Sequence, residues 1–322
     1  MMRYQRFSCL VLAALLVVLL SHAVFSAITD EGENREVRLI VRADDIGSCH
    51  SANVGCIESY TNGIARTVEV MVPCPWFREA VKMLRENPGL DVGVHLTLTS
   101  EWEFYKWGPV TNALSFVDKE GNFFPTTRQR RDFPPGTGFL EANPKIDEVE
   151  KELRAQIELA MEKIPNVSHL TCHMGTATST AELRSLVEKL SQEYNLPLAV
   201  PGARPAGGFG GTDTTPEQKE AALVKVLENL EPGLWIFVEH PGMDTPEMRA
   251  IGHIGYRNVA ADRDGVTRAF TSRKVKEVIA RRGIRLVSYA DVCKRGSDVP
   301  DRPKQKPLSA VYDRGLPAPA RP

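Results

Sequence analysis

Two adjacent carboxylates, Asp44 and Asp45, close the apolar run Arg38-Leu-Ile-Val-Arg-Ala-Asp-Asp-Ile-Gly47. An ionised carboxylate at the end of a core strand is costly to bury without a cation. Later apolar runs end on histidines: Leu90-Asp-Val-Gly-Val-His95, Val167–Cys172 followed by His173, and Gly233–Glu239 followed by His240. Two imidazole nitrogens and one carboxylate hold a divalent ion and leave positions open for water and substrate. Such an ion polarises a carbonyl and lowers the pKa of its bound water. His95 and His173, with one of the two aspartates, supply that donor set. Neighbouring strand residues point in different directions, so the second aspartate is free to take a proton from attacking water. Spacing alone does not say which aspartate does which. His240, before Pro241-Gly242, is a candidate acid for a leaving amine, or else a residue that bonds the Pro-Gly turn. His169 shares a strand face with His173 and is a weaker ligand candidate. His50 and His253 fall in loops and receive no role. A lone strand histidine is ordinarily a core residue, and a lone Asp-Asp pair ordinarily splits between a helix cap and solvent. Their recurrence at the ends of four separate runs is what argues for an enzyme.

The elements that must position these groups alternate. Strands are expected at Glu36–Ala43, Thr67–Val72, Leu90–His95, Val167–Cys172, Leu196–Val200, Gly233–Glu239 and Ile284–Ser288. Helices are expected from a Ser51 cap to Asn62, then at Trp76–Arg85, Ile146–Ile164, Thr180–Tyr194, Thr215–Asn229 and Ser272–Arg282. Strand–helix alternation repeated about seven times implies an α/β fold, a parallel (β/α) barrel with helices outside. In such barrels catalytic groups sit at the C-terminal strand ends, where the aspartates and histidines fall. From about 100 to 145 the periodicity is lost. Nine aromatic residues, from Trp102 to Phe139, are scattered among Gly and Pro. That is too long for an ordinary connection, and two roles stand equal: stacking on sugar rings, or packing onto the barrel. The Gly-rich stretch Arg204–Gly211 lacks the spacing of a phosphate-binding loop. Residues 244–264 read as a polar loop.

The chain has 322 residues and a formal net charge of −1, with no dominant basic face, which argues against a nucleic-acid partner. Residues 1–26 read as a secretory signal: Arg3 and Arg6, an apolar stretch from Leu10 to Leu20, then small residues up to Ser26. The stretch is short for a membrane span, so cleavage and a secreted or periplasmic protein are expected, with no stable membrane insertion afterwards. Five cysteines follow the leader, Cys49, Cys56, Cys74, Cys172 and Cys293, with no CxxC among them. Most read as small buried apolar groups, with room for one disulfide. Residues 294–322 read as a disordered Pro-rich tail. Oligomeric state is left open.

Several motifs together carry a family resemblance. They are Ala43-Asp-Asp-Ile-Gly47 with Asn53, Gly55 and Glu58, Gly93-Val-His-Leu-Thr-Leu98, His169-Leu-Thr-Cys-His173 and Glu239-His-Pro-Gly242. In this order, over about residues 36–293, the chain resembles the YdjC-like carbohydrate deacetylases, relatives of the polysaccharide deacetylases. The resemblance implies an irregular (β/α) barrel and metal-dependent amide hydrolysis. It implies Asp45, His95 and His173 as ligands of one divalent metal, zinc or magnesium foremost. It implies Asp44 as base and His240 as acid, acting on N-acetylated amino sugars such as chito-oligosaccharides. The chain departs from the family pattern at Ile46, where Phe is usual, and at Met174-Gly175, where Gln-His commonly follows the ligand histidine. Two other readings compete. A glycoside hydrolase needs two carboxylates facing each other across a bond, which neighbours cannot supply without a partner such as Glu239. A sugar-binding protein would keep the site without the chemistry.

Overall fold

The computed structural model describes residues 36–293, so the leader at 1–26 and the tail at 294–322 lie outside the described residues. Seven strands are present among them: β1 Val37–Ile46, β2 Thr67–Val70, β3 Asp91–Leu96, β4 Val167–Cys172, β5 Arg204–Pro205, β6 Gly233–Glu239 and β7 Arg285–Val287. The nine α-helices are α1 His50–Thr61, α2 Phe77–Glu86, α3 Ile146–Lys163, α4 Ala181–Tyr194, α5 Pro216–Asn229, α6 Pro246–Arg249, α7 Val259–Thr271, α8 Arg273–Arg282 and α9 Tyr289–Val292. The strands form one parallel sheet in the order β4-β3-β2-β1-β6-β5, curled into a half-barrel with helices around it. This is the expected α/β architecture.

Strand β1 is central. It pairs with β6 from Val37 to Ala43 on one side. On the other side β7 pairs with Arg38–Ile40 and β2 with the stretch from Arg42 to Ile46. Leu39, Ile40 and Val41 are wholly buried, as expected for a parallel strand covered on both faces. The strand runs on through Asp44 and Asp45, which had been expected in the turn beyond it.

Three expectations are corrected. The predicted strand at Leu196–Val200 is irregular; Pro197 lends its carbonyl to Leu170 N, 3.0 Å away, and the ladder is only the pair Arg204–Pro205. Pro197 and Pro201 have no N–H to give a ladder. Helix α1 is capped by Cys49, whose sulfur accepts from Ala52 N at 3.4 Å, while the Ser51 hydroxyl turns to Glu247 at 2.8 Å. The supposed polar loop at 244–264 contains α6 and the first turns of α7.

The insertion after β3 is pinned rather than loose. Gln156 on α3 accepts from Thr97 N at 2.9 Å and donates to Thr97 O at 2.8 Å. The neighbouring Glu152 accepts from Val110 N, Thr111 N and the Thr111 hydroxyl. Trp102, Trp107, Phe116, Phe123 and Phe139 are buried, so packing accounts for most of the aromatics. Among the described residues no helix is long and apolar enough to cross a membrane. The five cysteines are free thiols, so the disulfide left open by the sequence is not formed.

Candidate active site

The site is built at the C-terminal ends of β1, β3 and β4. In a regular strand Asp44 and Asp45 would face opposite ways. Here the β1–β2 register shifts between Ala43 and Ile46, and Asp45 takes a φ of +75°. Such bulges re-aim side chains, and a left-handed non-glycine residue carries strain that its surroundings must hold. As a result both aspartates reach one imidazole. His95 Nε2 lies 3.9 Å from Asp44 Oδ2 and 3.7 Å from Asp45 Oδ1. From β4, His173 brings Nδ1 to 3.4 Å from the same Asp45 oxygen. One ligand atom each from Asp45, His95 and His173 falls within 4.8 Å of the others, and all three side chains are buried.

Asp45 Oδ1 is a buried acceptor with no hydrogen-bond partner. Its other oxygen, Oδ2, is held at 2.8 Å by Arg263 Nη2. A buried carboxylate oxygen left bare between two imidazole nitrogens is the place a divalent cation would fill. The donor set therefore fits a metal. Each remaining imidazole nitrogen is also engaged: His173 Nε2 lies 2.9 Å from Glu101 Oε2, and His95 Nδ1 lies 2.7 Å from the Thr171 hydroxyl. Partners of that kind orient metal-binding histidines.

The electrostatics separate these groups. Burial pushes His95 down to about 4, against the pull of Asp44 and Asp45, so its ring is neutral at pH 7. Burial acts the same way on His173, but Glu101 and Asp45 outweigh it and raise its pKa to about 10. Burial disfavours the Asp45 carboxylate, yet Arg263, His240 and His173 together hold it well below the usual carboxylate range. Asp44 is clamped by Arg42 in a two-pronged ion pair at 2.8 and 2.9 Å. Each of its oxygens keeps a second lone pair for another donor.

Asp45 and His173 open onto a cleft of about 360 Å³, which His240, Glu239, Arg263 and Lys219 also line. The structure thus brings His240 to the same cleft. Met174 stands 45% exposed on its wall, and with Gly175 it makes a left-handed turn (φ 51° and 66°). A more apolar hollow of about 290 Å³ adjoins, sharing Glu101 and His253 with the cleft and lined by Phe124, Phe133 and Ile254. His169 does not join the ligand cluster. It is wholly buried, with Nε2 2.7 Å from Glu69 and its ring stacked on Tyr289 at 3.8 Å.

Sequence reasoning missed Arg42, Glu69, Glu101 and Arg263. The first two had a signal, because each is a charge with apolar residues on both sides inside a strand, where burial demands a partner. Arg263 had one too: Val259, Val266 and Phe270 recur at helical spacing through what read as a loop. Glu101 stood in an aperiodic stretch and had none.

A family model described as YdjC-like protein matches residues 38–281. A carbohydrate deacetylase of Thermus thermophilus is 31% identical over 235 residues, covering 66% of this chain and 80% of that protein. A carbohydrate deacetylase of Thermoanaerobacter pseudethanolicus is 25% identical over 262 residues, covering 78% of this chain and 98% of its own length. Among solved structures, one described as a cellobiose-phosphate cleavage protein of Enterococcus faecalis superposes with a TM-score of 0.64 at 24% identity. It covers 80% of this chain and 98% of that one, and the likeness concerns the fold.

Proposed function

The chain belongs to the YdjC-like family, and from that premise we propose that it is a metal-dependent hydrolase removing acetyl groups from N-acetylated amino sugars or their oligosaccharides. The observation that carries this reading is the bare, buried Asp45 Oδ1 between His95 and His173, with a second carboxylate on the same imidazole. The names of the two carbohydrate deacetylases it resembles support a carbohydrate substrate. Asp45, His95 and His173 would hold the metal, which when bound supplies a Lewis acid for the acetyl carbonyl and a more acidic water.

The remaining chemistry falls to the chain's own side chains. Asp44, oriented by Arg42, accepts a proton from the attacking water. The water oxygen bonds to the acetyl carbon, and the carbon–nitrogen bond breaks. His240, on the cleft wall, delivers a proton to the departing nitrogen, so the products are acetate and a free amine. Arg263 keeps Asp45 ionised, and Glu101 keeps the His173 ring turned with Nδ1 inward. The hollow beside the cleft, with Phe124 and Phe133, offers an apolar face to a neighbouring sugar ring and favours an oligosaccharide over a single sugar. The leader at 1–26 supports a substrate met outside the cytoplasm.

The test is product analysis with purified protein and N-acetylated chito-oligosaccharides. Acetate release is expected, and Asp44→Asn and His240→Ala are each expected to lower kcat on the order of 10²–10⁴-fold. New reducing ends without acetate would replace this reading with glycoside hydrolysis. Full activity in Asp44→Asn would remove Asp44 as the base.

A further inference from the structure

Behind the site lies a buried polar cluster that the reaction does not touch. Glu69, in the middle of β2, is wholly buried. Its Oε2 accepts the Thr171 hydroxyl proton at 2.5 Å, and its Oε1 lies 2.7 Å from His169 Nε2. Arg42, the residue that clamps Asp44, comes within 3.8 Å of the same Oε1. Space for the cluster comes from Gly93 on β3, two residues before His95. A Cβ there would lie 2.1 Å from Glu69 Oε2 and 2.4 Å from His169 Nε2. A buried charge with this many partners, and a glycine that makes room for it, is a built arrangement.

The direction of its hydrogen bonds follows from counting protons. An ionised carboxylate only accepts, and a hydroxyl has one proton to give. Thr171 gives that proton to Glu69, so its oxygen is an acceptor towards His95 Nδ1, 2.7 Å away. His95 Nδ1 must then carry the ring proton. That leaves Nε2 with a free lone pair, and Nε2 is the nitrogen that faces Asp44 and Asp45.

We propose that Glu69 is a positioning residue, which fixes His95 in the tautomer able to bind a metal by way of the Thr171 hydroxyl. The inference rests on the metal-dependent reading of this site and adds a residue to it. Through Arg42 the same carboxylate also backs the clamp on Asp44, so one buried charge stands behind both the ligand His95 and the base.

The experiment uses the full chain with ¹⁵N-labelled histidine, metal-free, with the His95 signals identified by their loss in His95→Gln. The result expected is a proton on Nδ1 in the wild type. Thr171→Val keeps the shape and removes the relay; it should release the tautomer and weaken zinc binding roughly 10–100-fold. Thr171→Ser, which restores a hydroxyl, should recover both. A wild-type proton on Nε2 overturns the proposal even if both Thr171 variants fail to fold. A Thr171→Val protein that binds zinc as the wild type does overturns it as well. The tautomer is read without metal and without turnover, so a failed deacetylase assay leaves this measurement able to decide by itself.

Discussion

At the scale of single residues, the site is held by pairs of opposite charge in which each partner justifies the burial of the other. Arg263 and Asp45 are the clearest case, at 2.8 Å and both nearly inaccessible. Removing one member of a buried pair strands the other. Arg263→Ala should therefore destabilise the metal-free protein by about 3 kcal/mol or more, measured by urea unfolding. A divalent metal should recover part of the loss, because it supplies the cation that Asp45 lacks; no recovery would argue against Asp45 as a ligand. His173 gives a pH dependence with a definite sign. Its pKa is raised to about 10 by Glu101 and Asp45 against the effect of burial. Below that pH the ring carries a proton that metal must displace, so affinity falls as pH falls. His95, pushed down to about 4, adds nothing above that value. From pH 8 to pH 6 metal affinity should drop about 100-fold, one decade per unit for one released proton. An affinity flat over this range would mean that His173 is not a ligand.

At the scale of elements, the bulge at the end of β1 lets neighbouring aspartates share one imidazole, and α7 brings Arg263 across to them. Glycine also sets the cleft wall: a Cβ on Gly55 of α1 would lie 2.5 Å from Gly242 Cα, so only glycine lets α1 pack under the turn that follows His240. Packing accounts for only part of the aromatic insertion. Its buried members pack, while Phe124 and Phe133 remain at the hollow beside the cleft. Phe133→Ala should raise KM for an oligosaccharide several-fold and leave a single N-acetylated sugar unchanged. Equal effects on both would assign Phe133 to packing. Sequence legibility follows the same division. Strand ends bearing Asp44, Asp45, His95, His173 and His240 could be read because apolar runs announce strands and polar residues at their ends stand out. The bulge could not be read, since nothing in Ala-Asp-Asp-Ile marks a left-handed residue. The strand expected at 196–200 failed because apolar residues were weighed above Pro197 within it and Pro201 just after it.

At the scale of the whole molecule, the parallel sheet places the ends of β1, β3, β4 and β6 around one cleft. Asp45, His95 and His173 therefore meet, and His240 lines one cleft with Asp45 and His173, despite their separation in sequence. The fold was legible because strand–helix alternation leaves few topologies. The contacts that tune the site were not, because Glu69 reaches His95 only through Thr171, an arrangement that exists once β2, β3 and β4 lie side by side. The central claim is that this assembly removes acetyl groups with the help of a metal. The most direct test measures acetate released from N-acetylated chito-oligosaccharides before chelation, after chelation, and after a divalent metal is returned. The account predicts that acetate and free amine appear in equal amounts, vanish with the chelator and come back with the metal. Acetate release that survives complete removal of metal would contradict it.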